Sequence, residues 1–280
     1  MSKKRSKQIK KRNKTNPKNL SILNAFNADK HILYQQSVQD TETTINFINE
    51  VYFDTAQKYP KSLREDFCGT ALLASAFAAD SYDKTSCGLD LDQNTLNWGL
   101  KHNILPLGDG ASRVKLLNKN VLEGTPDDKF DTICAFNFSY CVFKERKTIL
   151  KYFKQLKTSL NKKGLFILDL HGGPDAQFQL TEPATMEEFE YIWEQESFDP
   201  ITHETICHIH FAFNDGSRMD KAFTYDWRYW SLPELKDILA EAGFKHIDVW
   251  WNYNNGNEDF EKAQKAENME SWIAYLAAWN

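Results

Sequence analysis

The sequence predicts an α/β fold: a doubly wound, mostly parallel sheet of seven strands, with an antiparallel β insertion near its C-terminal half. Three observations carry this. Strand-like apolar runs alternate with helical patterns from Leu63 to Leu170, the order that sets parallel strands side by side with helices on both faces. Within that stretch, Leu63-Arg64-Glu65-Asp66-Phe67-Cys68-Gly69-Thr70-Ala71, an alanine-rich helix and Cys87-Gly88-Leu89-Asp90 read as strand, tight turn, helix and a second strand ending in an acid. After His171 the pattern changes to strand runs, with a strong hairpin signal at Asp215-Gly216.

Each element follows in order. Residues 1–20 are expected to be a disordered basic tail, and residues 21–280 one domain. Ser21 to Lys58 suggests short helices that form an N-terminal cap (21–60), with Ile45, Ile48, Val51 and Tyr52 on one face at helical spacing. Leu63–Phe67 is the first strand, Thr70–Ala79 a helix, Cys87–Leu91 the second strand and Gln93–Lys101 a helix. Val114–Leu117 and Asp131–Phe136 are the next strands, and Glu145–Leu160 is a helix with Ile149, Leu150, Phe153 and Leu156 in register. Leu165–Leu170 is an apolar fifth strand. Residues 172–230 form the insertion, a lid with strands over Phe189–Ser197, Thr205–Asn214 and Arg218–Tyr229. A helix over Leu232–Ala242 ends at Gly243, a left-handed cap position. His246–Trp251 and Trp272–Trp279 close the sheet, joined by a polar loop over Asn252–Glu270.

The 280 residues, 41% hydrophobic and 14% aromatic, are enough to bury a sizeable core. Five cysteines without CxxC spacing argue for reduced thiols in an intracellular, cytoplasmic protein, not a disulfide framework or zinc site. No apolar run approaches the roughly 18 residues of a membrane helix. Nine Lys and Arg fall between Lys3 and Lys18, ahead of the first acid, Asp29. Without them the chain carries a net charge near −14, against −5 for the whole. An acidic body is a poor surface for nucleic-acid phosphates, so nucleic acid would be met through the tail alone. The tail itself reads as a solvated extension, a nuclear address or a tether.

The turn after the first strand narrows the ligand. A pyrophosphate seated on a helix N-terminus needs three glycines for close backbone approach; here Gly69 stands between Phe67 and Ala71. That argues against NAD. A nucleoside without a pyrophosphate tolerates the change, and S-adenosylmethionine is such a ligand. Asp90, about 20 residues beyond the turn, has the acceptor-only oxygens that suit two ribose hydroxyls.

Taken together, these residues resemble the class I S-adenosylmethionine-dependent methyltransferases, with their Rossmann-like fold, over roughly residues 30–280. The closest pattern is a bacterial methyltransferase-domain group whose first motif reads like Arg64-Glu65-Asp66-Phe67-Cys68-Gly69-Thr70-Ala71. Cys207-His208-Ile209-His210-Phe211 and Phe223-Thr224-Tyr225-Asp226-Trp227-Arg228 look like its later segments. Laid on the superfamily's acid-x-Gly-x-Gly-x-Gly, the acid falls on Glu65 and the glycines on Phe67, Gly69 and Ala71. The resemblance implies S-adenosylmethionine as cofactor, with Arg64, Glu65, Phe67, Cys68, Gly69 and Ala71 in the first binding segment and Asp90 on the ribose beside Leu91; Arg64 either holds the ligand carboxylate or pairs with an acid on the sheet. Asn120 falls on the adenine-contacting acid, next to Val121; Tyr34 and Asn137 complete the cofactor set. The loop Asn137-Phe138-Ser139-Tyr140 falls on the segment lining the methyl-transfer site.

For the reaction, His171 at the end of the fifth strand is either a base or a histidine that hydrogen-bonds its loop. Tyr140, His208 and His210 are further candidate bases. The last two share one strand face, and no metal is expected for want of a third ligand near them in sequence. The expected activity is methyl transfer by direct displacement to N or O of a small-molecule acceptor. The rivals are an RNA or protein methyltransferase tethered by the tail, and a binding protein without chemistry. Acceptor and oligomeric state are not legible.

Overall fold

The computed structural model describes residues 23–253 and 260–280; the expected tail, and part of the expected polar loop, lie outside them. The chain opens with α1 (Lys30–Val38) and α2 (Thr41–Ala56), whose free N–H groups are capped by the side chains of Asp29 and Asp40. As the spacing predicts, α2 buries Ile45, Ile48, Val51 and Tyr52. Then come β1 (Ser62–Asp66), α3 (Leu72–Asp80), β2 (Thr85–Asp90) and α4 (Gln93–Gly99), which Asp92 caps. A π turn and a 3-10 segment lead to β3 (Val114–Asn118), followed by β4 (Phe130–Ala135), α5 (Arg146–Thr158) and β5 (Leu160–Gly172). The insertion supplies β6 (Leu180–Thr185), β7 (Phe189–Phe198), β8 (Glu204–Phe213) and β9 (Arg218–Arg228). The chain ends with α6 (Leu232–Glu241), β10 (His246–Trp251), β11 (Glu261–Ala263) and β12 (Trp272–Trp279).

The main sheet runs β3-β2-β1-β4-β5-β12-β10-β11. Strands β1 to β5 pair in parallel, and β12 lies antiparallel between β5 and β10. Seven strands are those expected; β11 is an eighth, a short edge strand in what reads as polar loop. Both faces are covered. Phe166, Leu168 and Leu170 of β5 pack with α5 and α6, and Leu165 and Ile167 with α2 and α3. Strand order reverses between β1 and β4, where an open α/β sheet leaves a crevice at its carboxyl ends.

The insertion is a separate antiparallel sheet, β6-β7-β8-β9, one strand more than expected. Its register puts Tyr191, Trp193, Phe211, Phe213, Phe223, Tyr225 and Trp227 on one face. Helix α1 lies against that face, Leu33 packing with Phe189, Ile209 and Phe211. The N-terminal cap is therefore divided: α1 serves the insertion and α2 the main sheet. All five cysteines are buried and free, and no helix among the described residues is long and apolar enough to cross a membrane.

Candidate functional site

The crevice is floored by the turn after β1. Phe67, Gly69 and Ala71 take φ of +57°, +53° and +53°. Only Gly69 does so without steric cost; each of the others carries about 1–2 kcal/mol. Three left-handed positions are thus built with one glycine. Its neighbours hold it there. Cys68 N–H donates to the Leu89 carbonyl (2.9 Å) and Gly69 N–H to Asp90 Oδ2 (2.8 Å). Helix α4 presses on the turn at Gly99, where a Cβ would stand 2.2 Å from the Thr70 carbonyl oxygen. The Phe67 ring packs on Phe143 and Tyr152.

The two acids ending β1 point opposite ways, as alternation requires. Asp66 belongs to the core: Arg64 reaches it with Nε and an η nitrogen at 2.8 Å each, and the Tyr152 hydroxyl donates to it at 2.8 Å. Neither charged side chain of the pair is exposed to solvent. Arg64, expected at the cofactor, is therefore corrected to a structural residue, its third contact being the Thr125 hydroxyl. Glu65 faces the crevice. It accepts the Ala74 N–H (2.9 Å) and has no cationic partner among the described residues, and burial pushes its pKa up to about 8.

At the end of β2, Asp90 also accepts the Asp92 N–H (2.9 Å). Two backbone donors fix its carboxylate and leave other lone pairs for hydroxyls. Leu91 is 68% exposed beside it. The Asn120 side-chain oxygen, expected to meet an adenine amino group, accepts the Leu122 N–H (2.9 Å) and shapes its own turn. Side chains of Cys68, Ala71 and Val121 are buried in the core, so these positions present backbone.

After β4 the chain makes a second strained turn, with Asn137 and Phe138 at φ +54° and +55°. The buried Asp169 of β5 holds it, accepting N–H groups from Asn137 (2.7 Å) and Phe138 (3.0 Å). Desolvation raises the Asp169 pKa to about 7 against those two bonds. Sequence reasoning missed this residue, although an acid inside the apolar run Leu165–Leu170 was a usable signal.

Two cavities meet here. The first, about 130 Å³, is lined by Glu65, Phe67, Gly69 and Asn137 from the sheet and by His31, Tyr34, Phe223 and Tyr225 from α1 and the insertion. The second, about 360 Å³, lies between Phe138, His171 and Ile273 on one side and Tyr191, Trp193, Tyr225 and Trp227 on the other. Tyr34, Asn137 and Tyr225 line both. Of the candidate bases, His171 faces the second cavity, its ring 4.6 Å from that of Phe138. Burial lowers its pKa to about 4, so it is neutral at pH 7 and a weaker base than a free imidazole.

The other three candidates are corrected. Tyr140 is buried and its hydroxyl donates to the Asp169 carbonyl (2.9 Å), so it anchors the turn. His208 and His210 sit on the face of the insertion sheet opposite Ile209, turned away from the cavity, and pair with Glu196 (2.6 Å) and Glu194 (2.8 Å). Period-2 alternation foretold that they share a face, but not which face.

No family model and no curated protein matches the chain. Solved structures do. An S-adenosylmethionine-dependent methyltransferase from Clostridium acetobutylicum superposes with a TM-score of 0.68 at 20% identity, over 89% of this chain and 97% of that one. The sugar N-methyltransferase KedS8 from Streptoalloteichus gives 0.61 at 11% identity, over 98% of both chains. CalS10, an amino pentose methyltransferase from Micromonospora echinaspora, solved with S-adenosylmethionine bound, gives 0.63 at 10% identity over 88% and 95%. The fold is that of these methyltransferases. At such identities the likeness extends to architecture alone.

Proposed function

We propose that this protein is an S-adenosylmethionine-dependent methyltransferase acting on a nucleophilic N or O atom of a small molecule. The observation that carries the reading is the junction of the two cavities at Tyr34, Asn137 and Tyr225: a donor in one faces an acceptor in the other. The residues fit the cofactor. The left-handed backbone at positions 67, 69 and 71 brings the main chain up to a nucleoside, Asp90 offers acceptors to ribose hydroxyls, and Glu65, without a counter-ion among the described residues, offers a carboxylate to a cationic group.

When bound, S-adenosylmethionine supplies a methyl group already activated by its sulfonium centre. The protein's part is then alignment and shelter. The Asp169-held turn fixes Asn137 where the two cavities meet and Phe138 in the second, and such orientation supplies several kcal/mol of barrier lowering. The aromatic side chains of β7 and β9 give the acceptor an apolar wall. His171, neutral in the cavity, offers a ring nitrogen as hydrogen-bond acceptor to an N–H or O–H of the acceptor and so orients it. A small-molecule acceptor is supported by the size of that cavity, about 360 Å³, and by the sugar-amine acceptors named for KedS8 and CalS10.

Calorimetric titration with S-adenosylmethionine, with NAD as comparison, tests the reading. Micromolar binding of the first alone is expected. Because a cation beside Glu65 lowers its raised pKa, binding at pH 7 should also release protons, read as a dependence of the heat on buffer ionisation enthalpy. Absence of binding overturns the reading.

A further inference from the structure

We propose that Glu194, Glu196 and His208 form a site for a divalent transition-metal ion on the outer face of the insertion sheet. The residues near the two histidines in sequence offer no third ligand; the sheet register instead sets two carboxylates beside His208. Glu194 lies directly across from His208 in the β7–β8 pair, and Glu196 shares its face two residues on. One ligand atom from each of the three lies within 4.8 Å of the other two, and the His208–Glu196 contact is 2.6 Å. Ligand atoms on a tetrahedral ion with bonds near 2.0–2.1 Å stand roughly 3.3 Å apart, so the cluster brackets the required spacing.

The surroundings match what a metal-bound imidazole needs. The His208 side chain is only 3% exposed, so its ring is held, and its Nδ1 lies 2.9 Å from the Thr224 hydroxyl. A proton on Nδ1 donated to Thr224 leaves the Nε2 lone pair facing the two carboxylates, the outer-partner arrangement that fixes a ligating tautomer. His210 has a different part. Its Nδ1 accepts the Lys221 N–H (3.1 Å), so Nε2 carries the proton and donates to Glu194 (2.8 Å), orienting that carboxylate. Asp220 lies 3.3 Å from the same Nδ1 and is paired with Arg218. One cation already visits the site: Lys221 Nζ stands 2.7 Å from Glu196, on a side chain 53% exposed that can swing away. One imidazole and two carboxylates suit Zn²⁺ or Mn²⁺ better than a soft ion. Bound there, the ion would tie β7 to β8 behind Trp193 and Ile209, which line the cavity.

Chelator-treated full-length protein titrated with Zn²⁺ by calorimetry tests this, with Co²⁺ absorption as the signature of coordination. One ion per chain is expected, together with a raised thermal midpoint. His208→Ala and Glu194→Gln should each weaken binding at least tenfold, and Lys221→Ala should tighten it severalfold by removing the competing cation. The Lys221 variant keeps the test sound if the others fold poorly. Absence of saturable one-to-one uptake overturns the proposal, as does an affinity unchanged in both His208→Ala and Lys221→Ala.

Discussion

The two walls of the chamber are built by different means. On the sheet side stand two turns in left-handed conformations, each held through its backbone N–H groups by a carboxylate: the half-buried Asp90 under Gly69 and the buried Asp169 under Asn137 and Phe138. On the insertion side it is side chains, an array of rings on β7 and β9. A backbone wall recognises what every such ligand has in common. A side-chain wall can be rewritten one residue at a time, and it is where acceptor choice would be set.

The largest effect expected from breaking the first wall lies beneath it. Arg64→Leu leaves Asp66 buried without its counter-charge and should cost about 3–5 kcal/mol in denaturant unfolding. Affinity of the folded protein for S-adenosylmethionine should stay within threefold; a hundredfold loss would return Arg64 to the site. Asp90→Ala should weaken that ligand at least a hundredfold by calorimetry while leaving acceptor-side ligands unaffected. An unchanged affinity would remove Asp90 as the ribose residue.

Glu65→Gln sharpens the comparison through pH. The folded-state pKa of Glu65, about 8, lies above its ordinary value of 4.5, so its stabilising contribution is complete below pH 4.5 and lost as pH rises towards 8. The glutamine variant should therefore be the more stable at pH 8–9, by on the order of 2–4 kcal/mol, with the difference closing by pH 5. Unfolding curves at four pH values would show it. The smallest effect concerns Ala71→Gly. Relief of the left-handed strain, about 1 kcal/mol, offsets the loss of one buried methyl, about 0.8 kcal/mol. The midpoint should stay within about 2 °C of wild type, and a clear loss would show that Ala71 carries packing the backbone account omits.

This asymmetry also governs what could be read from sequence. Strand–helix alternation and the Gly69–Asp90 spacing gave the sheet side, because those elements repeat a local period. Which way a side chain points is not local. Arg64 and Glu65 are adjacent on β1, and only the packed sheet decides that one meets Asp66 and the other the crevice. His208 and His210 share a face by alternation, yet packing of α1 on the opposite face turned them outward. Strand β11 and strand β6 lack an apolar signal of their own and exist through pairing with β10 and β7. Tyr140 resembled a site residue by its motif position and proved to be an anchor, its hydroxyl already spent.

The attachment of α1 to the insertion bears on how the chain is made. Ala25 bonds to Ser217 across 192 positions, and Leu33 packs among residues of β7 and β8. During synthesis the first helix therefore emerges long before its partners, while β1 to β5 already have theirs. At roughly 5–20 residues per second, it would wait on the order of ten seconds or more. The insertion and the N-terminal segment should then mature together and last, as the slow phase of folding, because such distant pairing closes a very long loop.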